Sequence, residues 1–452
     1  MIDRAVEKKI ECFLKENQNK ALLITGARQT GKTFSIRRVA GKLDPDFVEL
    51  NFLENRDARE LFAAARDSRE ILLNISALSQ KDLNPGKTVI FLDEVQECPE
   101  ILTAIKFLVE EGSYRYILSG SLLGVEMKNI RSMPVGYMGI IEMFPLDFEE
   151  FCRANGIGDT VLSHVYECFS EKKPVTALIH EKLLSLFWLY LIVGGMPEAV
   201  RVYLETNNLR EVYNVQKYIC ELYRKDIAKY DPDEKLYLAE IFDLIPSELN
   251  SQNKRFIMKN LNERAVFSKY ENSFLWLKDA GVALPTYCVD EPKTPLLLSK
   301  ATSLFKLFSS DVGLLASMYA EGIQIQILKH EMDINYGAVF ENAAAQELRC
   351  HGFPLYYYRN KKLGELDFVV EQNGRVIPLE IKSGKTYKRH SAMSNVMEKY
   401  DIPQAYVFWL DPLSVDGAIT YCPIYMLMCL RKEEPGDLIY KIDLSGIMDR
   451  EG

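Results

Sequence analysis

Histidine and paired cysteine are scarce in this chain. Its 452 residues include only five histidines and nine cysteines, with no C-x-x-C pair and no histidine cluster. That scatter excludes an ordinary zinc site and a disulfide framework, and it fits a reducing cytoplasm. Long apolar runs are missing as well. The first residues, Met1 to Lys9, lack the apolar core of a secretion signal. The most apolar late stretch, Tyr421 to Leu430, is interrupted by Pro423 and is too short to cross a bilayer, so no membrane partner is expected. Basic charge is not in surplus either. Lys and Arg total 55 against 64 Asp and Glu, a net charge of -9, so any nucleic-acid surface must be local. What remains is ordinary globular material, 48% hydrophobic and 26% charged, with a length that suggests about three domains.

Against this background one segment stands out: Gly26-Ala27-Arg28-Gln29-Thr30-Gly31-Lys32-Thr33. It follows a short apolar run, Ala21 to Thr25, and leads into a helix-like segment, Phe34 to Leu43. A glycine-rich turn between strand and helix converges backbone N–H groups on phosphate oxygens. Lys32 then reaches the β/γ-phosphates, and the Thr33 hydroxyl serves a Mg²⁺ ion. The pattern predicts binding of a nucleoside triphosphate. Thr88 to Glu94 is a continuous apolar run ending in Asp93 and Glu94. Such a run reads as a buried parallel strand whose C-terminal end carries ligands. Asp93 is expected to hold the Mg²⁺ water shell and Glu94 to polarise the attacking water. The bland alternative is a buried strand capped by solvated acids. A further strand, Tyr114 to Ser119, ends in Gly120-Ser121, which makes Ser119 and Ser121 candidate sensors of the γ-phosphate.

The expected fold class is α/β, a P-loop NTPase with a parallel sheet. Residues 1–142 form its nucleotide domain, with strands near 21–25, 46–52, 71–75, 88–93 and 114–119. Residues 143–230 read as a helical lid, containing Phe148-Glu-Glu-Phe, Leu183 to Val193 and Gly194-Gly-Met-Pro197-Glu. In 231–300 the rhythm changes to short helices at 235–245, 254–261 and 269–280, followed by strands at 282–289 and 296–299. Three helices and a hairpin describe a winged helix, with Lys254, Arg255, Lys259, Arg264 and Lys269 as DNA-facing candidates. Solvated helix faces or a protein contact are the competing readings.

Residues 301–452 carry a second constellation. Asn373-Gly374 between alternating apolar residues signals a two-residue hairpin turn. If 372 pairs with 375, Asp367 lies opposite Glu380, and period-two alternation puts Lys382 on the face of Glu380. Facing carboxylates repel unless a hard cation lies between them, and Mg²⁺ takes such ligands. Glu341, in the helical segment from Tyr336, offers a third carboxylate, and Lys382 would act on a metal-bound water. A solvated hairpin in which Glu365 pairs with Lys382 is equally compatible with the residues. Pro378 threatens the register, since it removes a donor. Lys382, Lys385, Lys388 and Arg389 form a local basic cluster suited to a phosphodiester, or simply a solvated loop.

Taken together, Gly26 to Thr33, Leu92-Asp-Glu-Val-Gln96-Glu-Cys-Pro99, Ser119-Gly-Ser, Phe144-Pro-Leu, Gly194-Gly-Met-Pro197-Glu and Asp367…Glu380-x-Lys382 resemble a known arrangement. It is that of the prokaryotic AAA-type ATPases, relatives of the archaeal-type ATPases, whose C-terminal domain of unknown function resembles PD-(D/E)xK nucleases. The resemblance implies ATP and Mg²⁺ at Lys32, Thr33, Asp93 and Glu94. It also implies a restriction-endonuclease-like fold at 301–452, with Glu341, Asp367, Glu380 and Lys382 on its nuclease-like positions. The chain is then expected to hydrolyse ATP and so control a DNA-binding, DNA-cleaving tail, with DNA, a protein partner or further copies of itself as partners. A switch or adaptor with a catalytically silent tail is the alternative. One departure is visible: the family has Gly-Arg shortly before Pro-Leu, and here Gly136 precedes Tyr137. Arg131 lies nearby but not in that place, so an arginine acting from a neighbouring subunit is unassigned.

Overall fold

The computed structural model describes residues 2–16, 19–43, 46–65, 67–121, 136–230, 235–251, 254–261, 267–319, 322–329, 336–384, 390–433, 436 and 439–442. Arg131, Arg264, Lys385, Lys388, Arg389 and the Lys269 side chain lie outside the described residues.

The N-terminal part is a five-stranded, wholly parallel sheet. Its strands are β1 (Ala21–Thr25), β2 (Phe47–Asn51), β3 (Val89–Asp93), β4 (Arg115–Ser119) and β5 (Met138–Glu142), in the order β2-β3-β4-β1-β5. The helices α1 (Ala5–Glu16), α2 (Lys32–Leu43), α3 (Arg56–Ala64), α4 (Ser68–Ser79) and α5 (Pro99–Glu111) accompany it. β3 is buried along its whole length, as a two-sided apolar run requires. The strand expected at 71–75 is instead the middle of α4. Asp67 caps that helix by accepting from the Glu70 N–H, and Ile71 and Ile75, four residues apart, share its buried face. The fifth strand, β5, joins the edge of β1.

Five helices follow: α6 (Phe148–Ala154), α7 (Asp159–Glu171), α8 (Ala177–Val193), α9 (Pro197–Thr206) and α10 (Leu209–Tyr230). Next come α11 (Lys235–Asn250), α12 (Phe267–Asp279), β6 (Ala283–Val289) and β7 (Lys300–Ser309). The helix expected at 254–261 is only a 3₁₀ turn, Met258–Asn260. Partners outside the segment take its backbone donors: Phe256 N–H donates to the Phe305 carbonyl at 3.1 Å, and Ile257 N–H to Glu248 Oε2 at 2.7 Å. The strand expected at 296–299 is also a 3₁₀ turn, anchored where Leu296 N–H meets Glu371 Oε2 at 3.0 Å.

An eight-stranded mixed sheet completes the chain, in the order β12-β13-β11-β10-β9-β8-β6-β7. Its later strands are β8 (Tyr356–Asn360), β9 (Gly364–Gln372), β10 (Arg375–Ile381), β11 (Ala405–Trp409), β12 (Ser414–Asp416) and β13 (Ile419–Pro423). Helices α13 (Val312–Met318), α15 (Tyr336–Cys350) and α16 (Ser391–Tyr400) pack against it, and α14 (Ile323–Leu328) packs on α8 and α13. The β6–β7 hairpin is no projecting wing, because β6 hydrogen-bonds in parallel to β8. A boundary at residue 300 therefore falls inside one sheet. The β9–β10 register runs Gln372↔Arg375 to Phe368↔Leu379 without a bulge, so Pro378 is accommodated opposite Val369.

The helices of 143–230 share a hydrophobic core with the second sheet's helices. Phe187 of α8 packs on Phe148 and on Phe340 of α15, with ring centroids 5.3 and 5.7 Å apart, and Trp188 meets Phe340 at 5.1 Å. The first sheet has its own separate apolar clusters on its two faces. Among the described residues no single helix is long and apolar enough to cross a membrane.

Candidate nucleotide site and the acidic cluster

Parallel pairing fixes one row at the C-terminal edge of the first sheet. Asn51 is in register with Asp93, Leu92 with Leu118, and Ile24 with Ser119. Asn51, Asp93 and Ser119 thus stand side by side, next to the loop that leaves β1. Asp93 accepts from Thr33 Oγ1 and from Asn51 Nδ2, each at 3.1 Å, and from the Ser119 hydroxyl. Burial raises its carboxyl above the usual range, against the pull of Ser119.

The loop itself needs its glycines. Gly26 has φ +137°, and a Cβ there would lie 2.1 Å from the Met143 carbonyl oxygen. Gln29 and Gly31 also have positive φ, 67° and 90°. Thr30 donates to the Ala27 carbonyl at 2.9 Å and tightens the turn. Lys32 donates to the carbonyls of Gly26 and Ala27 at 3.0 and 2.8 Å. Burial lowers its pKa to about 8, despite the nearby Glu94 and Asp93.

Glu94 sits at φ 55°, just past β3. It accepts from Ser121 Oγ at 3.2 Å and from the Gln96 amide, and Ser121 in turn accepts from Arg28 Nε at 3.2 Å. Arg28 also reaches Asp226 of α10 at 2.5 Å, and the Tyr223 hydroxyl donates to the Arg28 carbonyl at 3.1 Å. The loop is therefore fastened to the helical part. Arg4, from the N-terminal segment, adds a second fastening. It donates to the Thr30 carbonyl at 2.9 Å, to the Phe144 carbonyl at 2.7 Å and to Glu150 at 3.1 Å.

A cavity of about 940 Å³ opens between the loop and α9–α10, lined by Gly31, Lys32, Thr33, Glu94, Ser121, Pro197 and Arg201, among others. Of the expected residues, Arg28, Gln29, Gly31, Lys32, Thr33, Glu94 and Ser121 line it; Asp93 and Ser119 are joined to it through the Thr33 hydroxyl, and Gly26, Ala27 and Thr30 shape the loop without lining it. Sequence reasoning missed Arg4, Asn51, Arg201 and Asp226. Of these only Asn51 had a local signal, as the last residue of a strand that ends level with Asp93. The Thr33 hydroxyl and the Asp93 carboxylate, both hard oxygen donors within 3.1 Å of each other, suit Mg²⁺.

Behind the cavity, Gly194-Gly195 enters a buried polar hub. Gly195 N–H donates to Asp311 Oδ2 at 2.6 Å, and Leu146 N–H to the Gly195 carbonyl at 2.7 Å. A Cβ on Gly195 would lie 2.1 Å from the Leu146 oxygen. Asp311 caps α13 through Leu314 N–H at 2.9 Å, and burial pushes its carboxyl up to about 6. Helix α15 closes the hub. Gln346 donates to the Tyr190 hydroxyl at 2.9 Å and accepts from Val312 N–H at 2.8 Å, while Glu347 accepts from Phe148 N–H at 2.6 Å.

The same α15 carries Glu341 towards the acidic cluster, where the expected metal arrangement is not met. Lys254 forms an ion pair with Glu341, and the buried Lys306 of β7 reaches Glu341 at 3.5 Å and Glu365 at 3.0 Å. Lys254 therefore points inward and is not a DNA-facing side chain. Glu365 is taken by Lys306, and not by Lys382 as one reading had it. Lys382 bonds to Glu380 at 2.5 Å, and Asp367 accepts from Ile381 N–H at 2.9 Å. Burial and then Asp367 raise both Glu341 and Glu380, the latter to about 8. Among the described residues no three His, Cys, Asp or Glu side chains are arranged to hold a metal ion.

Residues 18–152 match the AAA domain family. This part of the chain is an AAA-type P-loop ATPase domain. Residues 184–325 and 336–416 match two domains of unknown function, DUF8612 and DUF4143. The first of these runs from α8 across β7. Comparison with curated proteins yields no significant match. Among solved structures, a Walker-type ATPase of Pyrococcus abyssi is 14% identical with a TM-score of 0.42, covering 70% of this chain and 96% of that one. A RuvB variant of Thermotoga maritima is 14% identical with a TM-score of 0.31, covering 65% and 91%. Cdc6p of Pyrobaculum aerophilum is 14% identical with a TM-score of 0.25, covering 72% and 93%.

Proposed function

We propose that this chain is an ATP-hydrolysing switch in which the state of the AAA domain sets the position of the C-terminal body. The carrying observation is the cavity beside Lys32, because its opposite wall is α9 and α10, which belong to the body's shared core. Lys32 is poised to leave the Gly26 and Ala27 carbonyls for phosphate oxygens. Thr33 and Asp93 would hold Mg²⁺, which neutralises phosphate charge when bound. Glu94 orients the attacking water, and Ser121 and Gln96 hold its carboxylate in place. Arg28 links that water-orienting group to Asp226 of α10, so a change at the phosphates is felt by the helices. Gly194-Gly195 and Asp311 then carry the displacement to α15. Hydrolysis is tested by comparing wild type with Glu94→Gln. The variant should bind ATP and turn it over far more slowly, and unchanged turnover would refute the assignment.

The expected DNA-cleaving tail and the silent adaptor are separated by the acidic cluster. Lysine neutralisation of Glu341 favours the adaptor, with DNA or a protein bound and left intact. A cleavage assay with several DNA forms and Mg²⁺ or Mn²⁺ decides. Cleavage lost in Asp367→Ala and Glu380→Ala would restore the nuclease.

A further inference from the structure

A metal-dependent nuclease site gathers carboxylates and leaves the space between them for a cation. The cluster on α15, β9 and β10 has the carboxylates, but its cations are supplied by the chain. Lys306 rises from β7 into the interior with a side chain only 1% exposed. It contacts Glu341 at 3.5 Å and Glu365 at 3.0 Å, and its ammonium lies 5.0 Å from the Tyr357 ring centroid. Burial opposes the charge of Lys306, yet Glu341, Asp367 and Glu365 outweigh it and hold the ammonium protonated. Lys254 approaches the same Glu341 from the segment that follows α11, positioned by a left-handed backbone (φ 49°) and by the Phe256 N–H donating to the Phe305 carbonyl of β7. Neither lysine belongs to the Asp…Glu-x-Lys hairpin that suggested a metal.

The position of Lys306 is dictated by the sheet. Thr286 of β6 pairs with Lys306, and β6 is itself zipped to β8. An ammonium buried there without carboxylate partners would be costly, and so would Glu341 without an ammonium. Each group requires the other.

We propose that Lys306 and Lys254 stand in for a divalent cation, making the cluster a structural ion-pair network that takes up no Mg²⁺ or Mn²⁺. The inference goes beyond the ATPase reading and does not rest on it. It leaves the nucleotide site untouched.

The test is the sign of a stability change in nucleotide-free, full-length protein. In a metal site awaiting its ion, three carboxylates repel, so Glu341→Gln raises the melting temperature of metal-free protein. In a lysine-neutralised network Glu341→Gln removes the carboxylate that Lys254 and Lys306 share, leaves the buried Lys306 with Glu365 alone, and lowers that temperature. The expected result is a lowered melting temperature in Glu341→Gln and no Mn²⁺ response of wild type that Asp367→Asn removes. A raised melting temperature in Glu341→Gln, or a Mn²⁺-induced rise in wild type that Asp367→Asn abolishes, overturns the proposal. A second arm counts bound Mn²⁺ by electron paramagnetic resonance. Wild type should show no ion that Asp367→Asn removes, and one ion per chain lost in Asp367→Asn overturns the proposal as well. Both readouts are taken without nucleotide and turn on Glu341 and Asp367 alone, so failure here is distinct from failure of the ATPase reading.

Discussion

Lys32 should take up a proton when a triphosphate binds. In the free protein its burial lowers the pKa to about 8 from the ordinary 10.5. Phosphate oxygens favour the charged form, so in the complex the value returns towards the ordinary one. A displacement of ~2.5 units corresponds to about 3.4 kcal/mol between the two protonation states. The sign follows directly. Below the free pKa the ammonium is already charged and binding is strongest; as pH rises through about 8, binding must recruit a proton and weakens. Between about pH 8 and pH 10 the affinity should fall by roughly 40-fold. At about pH 9 the free lysine holds roughly a tenth of a proton, so uptake should be ~0.9 per nucleotide. Calorimetry in buffers of different ionisation enthalpy measures this number. Lys32→Arg, which stays charged, should bind with uptake near zero. Wild-type uptake near zero at that pH, or undiminished uptake in Lys32→Arg, would refute the reasoning.

Other expectations follow from the same contacts. Glu94→Gln should retain ATP binding while kcat falls by about 10²- to 10⁴-fold, measured by phosphate release. Asp311→Ala leaves the Gly195 N–H and the α13 cap without an acceptor and should cost about 2–4 kcal/mol in denaturant unfolding; a loss under 1 kcal/mol would mean the hub is not structural. Gly195→Ala drives a methyl against the Leu146 carbonyl 2.1 Å away, and poor expression or a sharply lowered Tm is expected. Phe187→Ala opens the core shared by α8 and α15 and should cost roughly 3–5 kcal/mol, unfolding both regions in one transition.

The sequence by itself determined the features that a few neighbouring residues specify without ambiguity. The loop from Gly26 to Thr33 and the acidic pair after β3 are local patterns, because a strand, a tight turn and a helix start are specified by neighbouring residues. The β9–β10 register was readable for the same reason: a two-residue turn at Asn373-Gly374 fixes every pair behind it. Residues 71–75 misled because a short apolar run satisfies both periods, and only the Asp67 cap and the Ile71–Ile75 spacing favour a helix. Tertiary structure alone decided the surroundings of the two carboxylate sets. Lys254 and Lys306 are 87 and 35 positions from Glu341 in the chain, and nothing in a hairpin motif announces an ammonium arriving from β7. Likewise the contact of Asp311 with Gly195 needs two distant segments folded together. The charge that balances a buried carboxylate can come from anywhere in the chain, so only the assembled fold shows whether a metal or a lysine supplies it.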